Sequence, residues 1–267
     1  MFNRARSFAI NCAKRGRLYL NRHGYDLHPV DQRCWEDQVA LLGGRKDLVI
    51  FDVGANGGEI ATQYRKMFPD CRLFCFEPQE DCLPSLKSRF PNDPGVSFHL
   101  VAVGAVRGKA RFHVTASRDS SSLLGSGAVD LPPSWREVLT VEKETEVEVI
   151  TLDDFTKEQK IERVDILKLD IQGGEHAALE GAAGLLAAAR IPVIYLEVSF
   201  VPMYARHPLL GEVTKYLARY DYTLHFLYNC VINGRTGRAV QADAIFVSPE
   251  LYNDSREQLR RSWGGPA

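Results

Sequence analysis

A short apolar run that ends in a glycine-rich turn constrains this chain more than any other feature. Residues 48–58 read Leu-Val-Ile-Phe-Asp-Val-Gly-Ala-Asn-Gly-Gly, so an apolar segment with a single acid runs directly into residues that tolerate a positive φ. Apolar residues then recur at helical spacing until Pro69 stops them. The stretch predicts a buried strand, a tight turn and a helix, an arrangement that commonly holds a nucleotide-type cofactor.

The acid near the end of this strand distinguishes between cofactor classes. A dinucleotide site presents backbone N–H groups to a pyrophosphate, and Asp52 would repel that anion. The glycines also miss the G-x-G-x-x-G spacing of dinucleotide sites, since they stand at positions 54, 57 and 58. A cofactor with a cationic end, such as S-adenosylmethionine, suits an acid there. A turn that serves packing alone stays open as an alternative.

Length and charge bound the remaining possibilities. The 267 residues are enough for one domain with an ample core and extensions. A net charge of -1 provides no general attraction for nucleic acid, so we expect no nucleic-acid partner. The six cysteines contain no C-x-x-C pair and follow no secretion signal, which favours reduced, buried thiols in a cytoplasmic protein and no metal site.

Residues 1–28 differ in character from the rest of the chain. Six basic residues precede the first acid, Asp26, and apolar residues are interspersed among them. The pattern is typical of a basic amphipathic helix, which could make peripheral contact with an anionic membrane or pack its apolar side on the main domain. An Arg-rich targeting peptide is a third interpretation.

A second strand is predicted to end in an acid at the distance expected for ribose binding. Residues 72–76 read as a strand that Glu77 and Pro78 close. Glu77 stands about twenty residues beyond the turn glycines, where an acid accepts hydrogen bonds from ribose hydroxyls in doubly wound folds. Such an acid suits either cofactor class, because both carry an adenosine ribose. The alternative is an ordinary surface carboxylate beside a turn.

Two later strands deliver further candidate residues. Residues 96–103 end near Ala102, which is small enough for an adenine ring to lie against the backbone. Residues 164–171 bring Asp170 to the carboxyl end of a buried strand. Because the carboxyl ends of parallel strands meet at one edge of an open α/β sheet, the acids that end these strands should converge there. Lys168 is their expected counter-ion, since a buried charge needs a partner.

The middle of the chain changes to a period of two. Residues 108–114 and 146–149 predict two half-exposed antiparallel strands, and the loop of residues 117–140 between them is interpreted as a lid over the site. Residues 200–207 are predicted to form a loop whose aromatic and polar side chains suit a sugar or other polyol, and equally a contact with the lid. The other predicted elements are a helix at 31–42, a helix from about 176 to about 189, a strand at 191–198, a helix at 208–220, and strands at 222–228 and 240–247.

Several segments together resemble, in order and spacing, the motifs of the FkbM family of S-adenosylmethionine-dependent methyltransferases. They are residues 51–57, 76–78, 151–153, 167–175 and 180–182. The resemblance implies an α/β, Rossmann-like class I methyltransferase fold with a mostly parallel seven-stranded sheet, helices on both faces and an antiparallel last strand, here with an antiparallel insertion. The expected organisation is an N-terminal helical extension at 1–45, the methyltransferase domain at 46–249 and a C-terminal tail at 250–267.

The resemblance also implies roles for individual residues. The cofactor's methionine end would be bordered by residues of the first turn, namely Asp52, Gly54, Ala55, Asn56 and Gly57. Glu77 with Pro78 would hold the ribose, and Ala102 would lie against the adenine. Asp170 and Glu175 would face the transferring methyl group.

The implied activity is O-methylation of a hydroxyl on a sugar, glycolipid or polyketide-type acceptor. Most of the catalysis would come from holding oxygen, methyl carbon and sulfur in line while a base removes the hydroxyl proton. The candidate bases are Asp170, Glu175, His176 and His113. Two other classes stay open, an NAD-type oxidoreductase and a non-catalytic cofactor-binding adaptor at a glycan or membrane surface.

Overall fold

The computed structural model of the chain describes residues 33–125, 137, 139–233 and 236–254. Residues 1–28 lie outside this part, as do residues 126–136 of the predicted lid. The strands are β1 Val49–Val53, β2 Arg72–Phe76, β3 Val96–His99, β4 Ala102–Val103, β5 Gly108–Thr115, β6 Val141–Ile150, β7 Ile166–Leu169, β8 Val193–Ser199, β9 Thr223–Ile232 and β10 Ala239–Val247. The α-helices are α1 Cys34–Leu42, α2 Glu59–Met67, α3 Leu83–Arg89, α4 Leu152–Glu158, α5 Glu175–Glu180, α6 Ala183–Ala187 and α7 Leu210–Ala218.

Seven strands form the main sheet in the order β3-β2-β1-β7-β8-β10-β9. Neighbouring strands are parallel, except that β10 runs antiparallel to both β8 and β9. Helices α1 to α3 pack into one hydrophobic cluster and α4 to α7 into another, so helices cover both faces of the sheet. The predicted fold is confirmed. Among the described residues, no helix has the length and apolar character needed to cross a membrane.

Side chains alternate between the two faces along each buried strand. In β1, Phe51 and Val53 belong to the cluster with α4 to α7, whereas Ile50 belongs to the cluster with α1 to α3. Each of these three side chains is at most 1% exposed, which explains why the strand is a nearly continuous apolar run. The predicted strand, glycine turn and helix at the start of the domain are confirmed.

The predicted antiparallel insertion is a second, three-stranded sheet with the order β4-β6-β5. Strands β5 and β6 are antiparallel, as predicted, and β4 lies parallel to β6. The prediction of one strand over residues 96–103 was wrong. After His99 the chain leaves the main sheet, because Ala102 and Val103 pair with Val149 and Ile150 of the second sheet.

The single helix predicted after the turn at 172–176 was also wrong, because it is broken at Gly181 into α5 and α6. Gly181 packs so closely on the backbone of Gly104 that a Cβ atom would lie 2.1 Å from the Gly104 carbonyl oxygen. Asp153 then begins α6 by accepting the backbone N–H groups of Gly184, at 2.7 Å, and Leu185, at 3.0 Å. The carboxylate that caps the start of α6 therefore belongs to a residue 31 and 32 positions before the two residues that it binds.

The first described helix begins later than predicted. Its first residue is Cys34, with Arg33 at the N-cap, while Asp31, the predicted cap, lies outside the described residues. Its predicted end is confirmed, since Gly43 adopts a left-handed conformation with φ of 58° and closes the helix. Five cysteines are described, and all are free thiols, with Cys230 less buried than the other four.

A buried ion pair joins the centre of the main sheet. Strand register places Asp52 of β1 beside Lys168 of β7, and the Lys168 Nζ lies 2.9 Å from the Asp52 Oδ1. The two side chains are 0% and 3% exposed. Burial works against the charged ammonium, but Asp52 and Asp170 outweigh it and raise the pKa of Lys168. The prediction that Lys168 is the counter-ion of the strand-end acids is confirmed.

The packing at Gly181 predicts a clear difference between two glycine variants. Gly181→Ala should lower the free energy of unfolding by about 1–3 kcal/mol, because the new methyl group collides with backbone that cannot rotate away. Gly211→Ala in α7 is the matched control, since its Cβ atom would meet nothing within 4 Å. Urea unfolding of both variants checks this, and equal stabilities would contradict the close contact.

The buried ion pair predicts that replacing Lys168 alone destabilises the protein more than replacing Lys168 and Asp52 together. Lys168→Met leaves the Asp52 carboxylate buried without its cation and should cost about 3–5 kcal/mol of unfolding free energy. The double variant Lys168→Met/Asp52→Leu removes both charges and should be more stable than the single variant. Denaturant unfolding of the three proteins measures this, and a double variant less stable than the single one would show that the pair is not the relevant interaction.

Candidate active site

A cavity opens at the carboxyl ends of β1, β2, β7 and β8, the edge at which the strand-end acids were predicted to converge. Its empty space, including the mouth open to solvent, is about 790 Å³. One wall comes from the main sheet and another from the second sheet and the loop after β5. The described lining residues are Val53, Gly54, Asn56, Phe76, Glu77, Pro78, Gln79, Val101, Ala102, Val103, Phe112, Asp119, Ser121, Leu123, Asp170, Ile171, Gln172, Gly174 and Glu197.

The glycine turn fixes the floor of this cavity through close backbone contacts. Gly54 has φ of 76°, and a Cβ atom on it would lie 1.9 Å from the Asp170 carbonyl oxygen, so no other residue fits there. The N–H groups of Gly54 and Ala55 both donate to the Phe76 carbonyl, at 2.9 and 3.0 Å. The turn therefore brings the ends of β1, β2 and β7 together.

The turn residues that were predicted to border the cofactor divide into two groups. Gly54 and Asn56 line the cavity, whereas Ala55 and Gly57 do not. Ala55 is 4% exposed and packs beneath the turn, and the Gly57 carbonyl accepts a hydrogen bond from Arg89 on the side of α3.

Asp52 does not lie on the cavity wall. Its carboxylate faces the interior of the sheet, where Lys168 neutralises it, and Lys168 also donates to the Gly54 carbonyl at 2.9 Å. Sequence reasoning expected Asp52 to border the cationic end of the cofactor. In the structure the Asp52 carboxylate pairs with Lys168, so its part in holding the turn is indirect, through the hydrogen bond from Lys168 to the Gly54 carbonyl.

Glu77 lies on the cavity wall at the end of β2 and is 6% exposed. Its Oε2 accepts the N–H of Asn56 and its Oε1 accepts the N–H of Gln79, both at 2.9 Å. Burial raises the pKa of this carboxyl, and the two backbone N–H groups oppose the rise. Each carboxylate oxygen keeps a further lone pair, so a fixed, buried acceptor stands ready for hydroxyl groups in the cavity.

An apolar slot lies beside Glu77. Apolar side chains from three segments form it. Val101 comes from the segment that joins the two sheets, Ala102, Val103 and Phe112 come from the second sheet, and Leu123 comes from the loop after β5. Pro78 lines the cavity next to Glu77. A flat apolar ring held here would have its attached polar groups near the Glu77 carboxylate. The predicted roles of Pro78 beside the ribose and of Ala102 beside the adenine require this arrangement.

The described part of the predicted lid lines the cavity through Asp119, Ser121 and Leu123. A short 3-10 turn at Arg118–Ser120 brings the Asp119 carboxylate onto the Asn56 side-chain amide. The hydroxyl of Ser122 donates to the Gln172 carbonyl at 2.7 Å. The loop is thus attached at one point to the glycine turn and at another to the turn after β7.

Only one of the candidate bases lines the cavity. The Asp170 side chain is 43% exposed and lies on the wall. Glu175 is 4% exposed and turned inward, where its Oε1 accepts the Ile171 N–H at 2.9 Å, and burial raises its pKa to about 7. His176 packs 4.8 Å from the Tyr216 ring, on the side of α5 away from the cavity. On the second sheet, the His113 Nδ1 lies 3.2 Å from the Glu144 Oε1.

These positions limit the predicted catalytic set. Glu175 and His176 were expected to act beside Asp170, but the structure does not place either of them on the cavity wall. The reason is local, because Glu175 is the first residue of α5 and its carboxylate folds back onto the turn that precedes the helix. His176, one residue later, points toward α7 instead.

Two residues that sequence reasoning did not assign to the site line the cavity beside Asp170. Glu197 comes from β8 and Gln172 from the turn after β7, where it has a φ of 56°. Gln172 donates to the Asp170 Oδ1 at 2.8 Å. The position of Glu197 near the carboxyl end of a buried strand was the signal that could have revealed it, by the same rule that pointed to Asp170.

The cavity is acidic in its described part. Four carboxyl groups line it, those of Glu77, Asp119, Asp170 and Glu197, and no Lys, Arg or His is among the described lining residues. The described residues contain no group of three or more His, Cys, Asp or Glu side chains suited to a metal ion. A ligand with a positive charge and hydroxyl groups is the kind that this wall can hold.

Known proteins resemble this chain over most of its length. The methyltransferase FkbM domain family matches residues 52–224. The 2-O-methyltransferase NoeI of Sinorhizobium fredii is 26% identical over 193 residues, which cover 71% of this chain and 79% of the relative. The hexuronic acid methyltransferase AglP of Haloferax volcanii is 22% identical over 197 residues, which cover 69% of this chain and 74% of the relative.

Solved structures that resemble the chain include an rRNA methylase from Streptococcus thermophilus, with a TM-score of 0.45 and 12% identity over 83% of this chain and 99% of that chain. Another is magnesium protoporphyrin IX methyltransferase from Synechocystis, with a TM-score of 0.44 and 9% identity over 80% of this chain and 76% of that chain. The family match covers more than half of the chain and includes Gly54, Glu77 and Asp170. The chain therefore belongs to the FkbM family of S-adenosylmethionine-dependent methyltransferases.

Proposed function

We propose that this methyltransferase transfers the methyl group of S-adenosylmethionine to a hydroxyl of a sugar, glycolipid or polyketide-type acceptor. The observation that carries the proposal is one continuous cavity with a buried carboxylate, Glu77, at one part of its wall and an accessible carboxylate, Asp170, at another. The names of two relatives support a sugar, since one is a 2-O-methyltransferase and the other acts on a hexuronic acid. The family match removes the NAD-type alternative.

The residues on the wall suit S-adenosylmethionine, which supplies an activated methyl group when bound. Glu77 would accept hydrogen bonds from the ribose hydroxyls, and the slot at Ala102 would hold the adenine. Gly54 and Asn56 would border the methionine end, close to Asp170. The acidic wall suits the ammonium and sulfonium charges of this cofactor, because opposite charges attract strongly where water is partly excluded.

Asp170 is the group that we assign to the acceptor hydroxyl. It is accessible, it lies on the wall, and Gln172 fixes its orientation with a hydrogen bond of 2.8 Å. A carboxylate held in this way can accept the hydroxyl proton while the oxygen approaches in line, and its main contribution is position. Glu175 would act through the backbone instead, since it holds the Ile171 N–H directly after Asp170.

Contact with a membrane remains a separate proposal. Residues 1–28 carry six basic residues before Asp26, and such a segment would bring the enzyme to an anionic surface on which a lipid-linked acceptor is concentrated. The segment lies outside the described residues, so its support is the sequence pattern alone. A C-terminal tail at 250–267 as a unit of its own also stays a prediction; of its residues the structure describes 250–254, where Leu251 packs into the cluster with α1 to α3.

Loss of the gene should remove a methyl group from a cellular glycan or glycolipid, and mass spectrometry of those molecules measures this. Wild-type protein should restore the methyl group, whereas Glu77→Ala should not. The variant loses two hydrogen bonds to the ribose, worth about 1.5–3 kcal/mol each, so calorimetry should show affinity for S-adenosylhomocysteine reduced at least tenfold.

The matched control is Glu80→Ala, three residues further along the chain, because Glu80 is exposed and does not line the cavity. It should bind the cofactor and restore methylation like the wild type. A folded Glu77→Ala protein with unchanged affinity would contradict the assignment of the ribose site. Unchanged glycans and glycolipids in the strain without the gene would favour the non-catalytic adaptor.

A further inference from the structure

The turn after β7 is held in one orientation by two loops. The Gln172 carbonyl accepts the Ser122 hydroxyl at 2.7 Å, and its side-chain Oε1 accepts the Tyr204 hydroxyl at 2.8 Å. The Ser120 carbonyl lies 3.1 Å from the same Tyr204 oxygen and shares its single hydrogen with Gln172. These contacts fix which way the Gln172 amide points, because its oxygen is taken by Tyr204.

The amide nitrogen of Gln172 therefore faces two carboxyl groups. It lies 2.8 Å from the Asp170 Oδ1 and 3.4 Å from the Glu197 Oε2. The other Glu197 oxygen, Oε1, accepts the Gln241 side-chain amide at 2.8 Å. The Asp170 and Glu197 carboxyl groups are thus held side by side on the cavity wall. Each is oriented by a side-chain NH2 group, which donates hydrogen bonds and does not accept them.

The second carboxyl group, Glu197, is largely buried beside other acids. Burial, followed by the nearby charges of Asp170, Glu175 and Asp243, raises the pKa of Glu197 well above its usual value. The Glu197 carboxyl can therefore donate a hydrogen bond, while the Asp170 carboxyl oxygens can accept one. A sugar hydroxyl, which both donates and accepts, matches such a pair.

The charge of the surroundings decides which sugar fits. Lys168 lies 2.9 Å from Asp52 and 3.8 Å from Asp170, so its single charge is shared between two acids, and no Lys, Arg or His is among the described lining residues. A carboxylate on the acceptor would meet like charges where water screens them poorly. Uncharged hydroxyl groups would meet no such repulsion.

We propose that Asp170, Gln172 and Glu197 form an acceptor subsite that takes an uncharged sugar and disfavours a sugar acid. The subsite rests on the proposed function, because it is the acceptor end of the same cavity. Gln172 is a positioning residue, since it acts through the two carboxyl groups. Of the two kinds of acceptor suggested by the names of the relatives, the structure favours the one without a carboxylate.

Matched pairs of methyl glycosides test the proposal, each pair differing only in a hydroxymethyl or a carboxylate at C6. Suitable pairs are the glucoside and glucuronide, the galactoside and galacturonide, and the mannoside and mannuronide. Transfer from S-adenosylmethionine is measured with the full chain as kcat/KM and verified by mass spectrometry of the methylated product. We expect the neutral member of a pair to be preferred by about tenfold or more.

Because glutamine cannot ionise, Glu197→Gln should narrow this preference several-fold at a pH at which the wild-type Glu197 is ionised, and should leave it unchanged at a pH at which Glu197 is protonated. Affinity for S-adenosylhomocysteine should stay unchanged. Glu142→Gln on β6 makes the same charge change at an exposed position off the cavity wall and should leave the preference intact. If Glu197→Gln does not fold, Gln172→Leu tests the same subsite and should raise the acceptor KM without weakening cofactor binding.

A preference for the sugar acids, or an equal rate for both members of a pair, overturns the subsite while leaving the methyltransferase function in place. A folded Glu197→Gln protein with the wild-type preference over the whole pH range also overturns it. Failure to methylate any member of any pair, with cofactor bound, contradicts the sugar acceptor of the proposed function and the subsite with it.

Discussion

The ammonium group of Lys168 joins the strand ends on which the site is built. It pairs with Asp52 inside β1, donates to the Gly54 carbonyl in the following turn and lies 3.8 Å from Asp170 at the end of β7. Gly54 also lies so close to the Asp170 backbone that no side chain fits at position 54. The ends of β1 and β7 can approach this closely only because the charges of Asp52 and Asp170 are neutralised. The proposed cofactor and acceptor sites would consequently lie next to each other.

Residues whose position depends on local structure were predictable from the sequence. The strand, glycine turn and helix follow from a run of apolar residues and from glycines that accept a positive φ, and Glu77 and Asp170 follow from the rule that ligands bind at the carboxyl ends of parallel strands. The mostly parallel seven-stranded sheet with an antiparallel last strand was implied by the family resemblance, and the observed sheet agrees with it. These features need no knowledge of which distant segments meet.

Features that depend on contacts between distant segments were not predictable. The two-residue period of a strand shows that the Asp52 and Phe51 side chains face opposite sides of the sheet. It does not show that the Asp52 side chain contacts Lys168 rather than the cavity. The break at Gly181 arises from the backbone of Gly104 and the carboxylate of Asp153, which no helical pattern reveals. The orientation of Gln172 on the cavity wall is another such feature, because Ser122 and Tyr204, which hold it, come from two other segments.

The crystal structure of the protein with bound S-adenosylhomocysteine tests the central claim most directly. The account predicts ribose hydroxyls within hydrogen-bond distance of the Glu77 carboxylate and adenine beside Ala102. It also predicts a sulfur atom closer to the Asp170 side chain than to those of Glu175 or His176. A ligand bound away from Glu77, or with its sulfur beside His176, would contradict it.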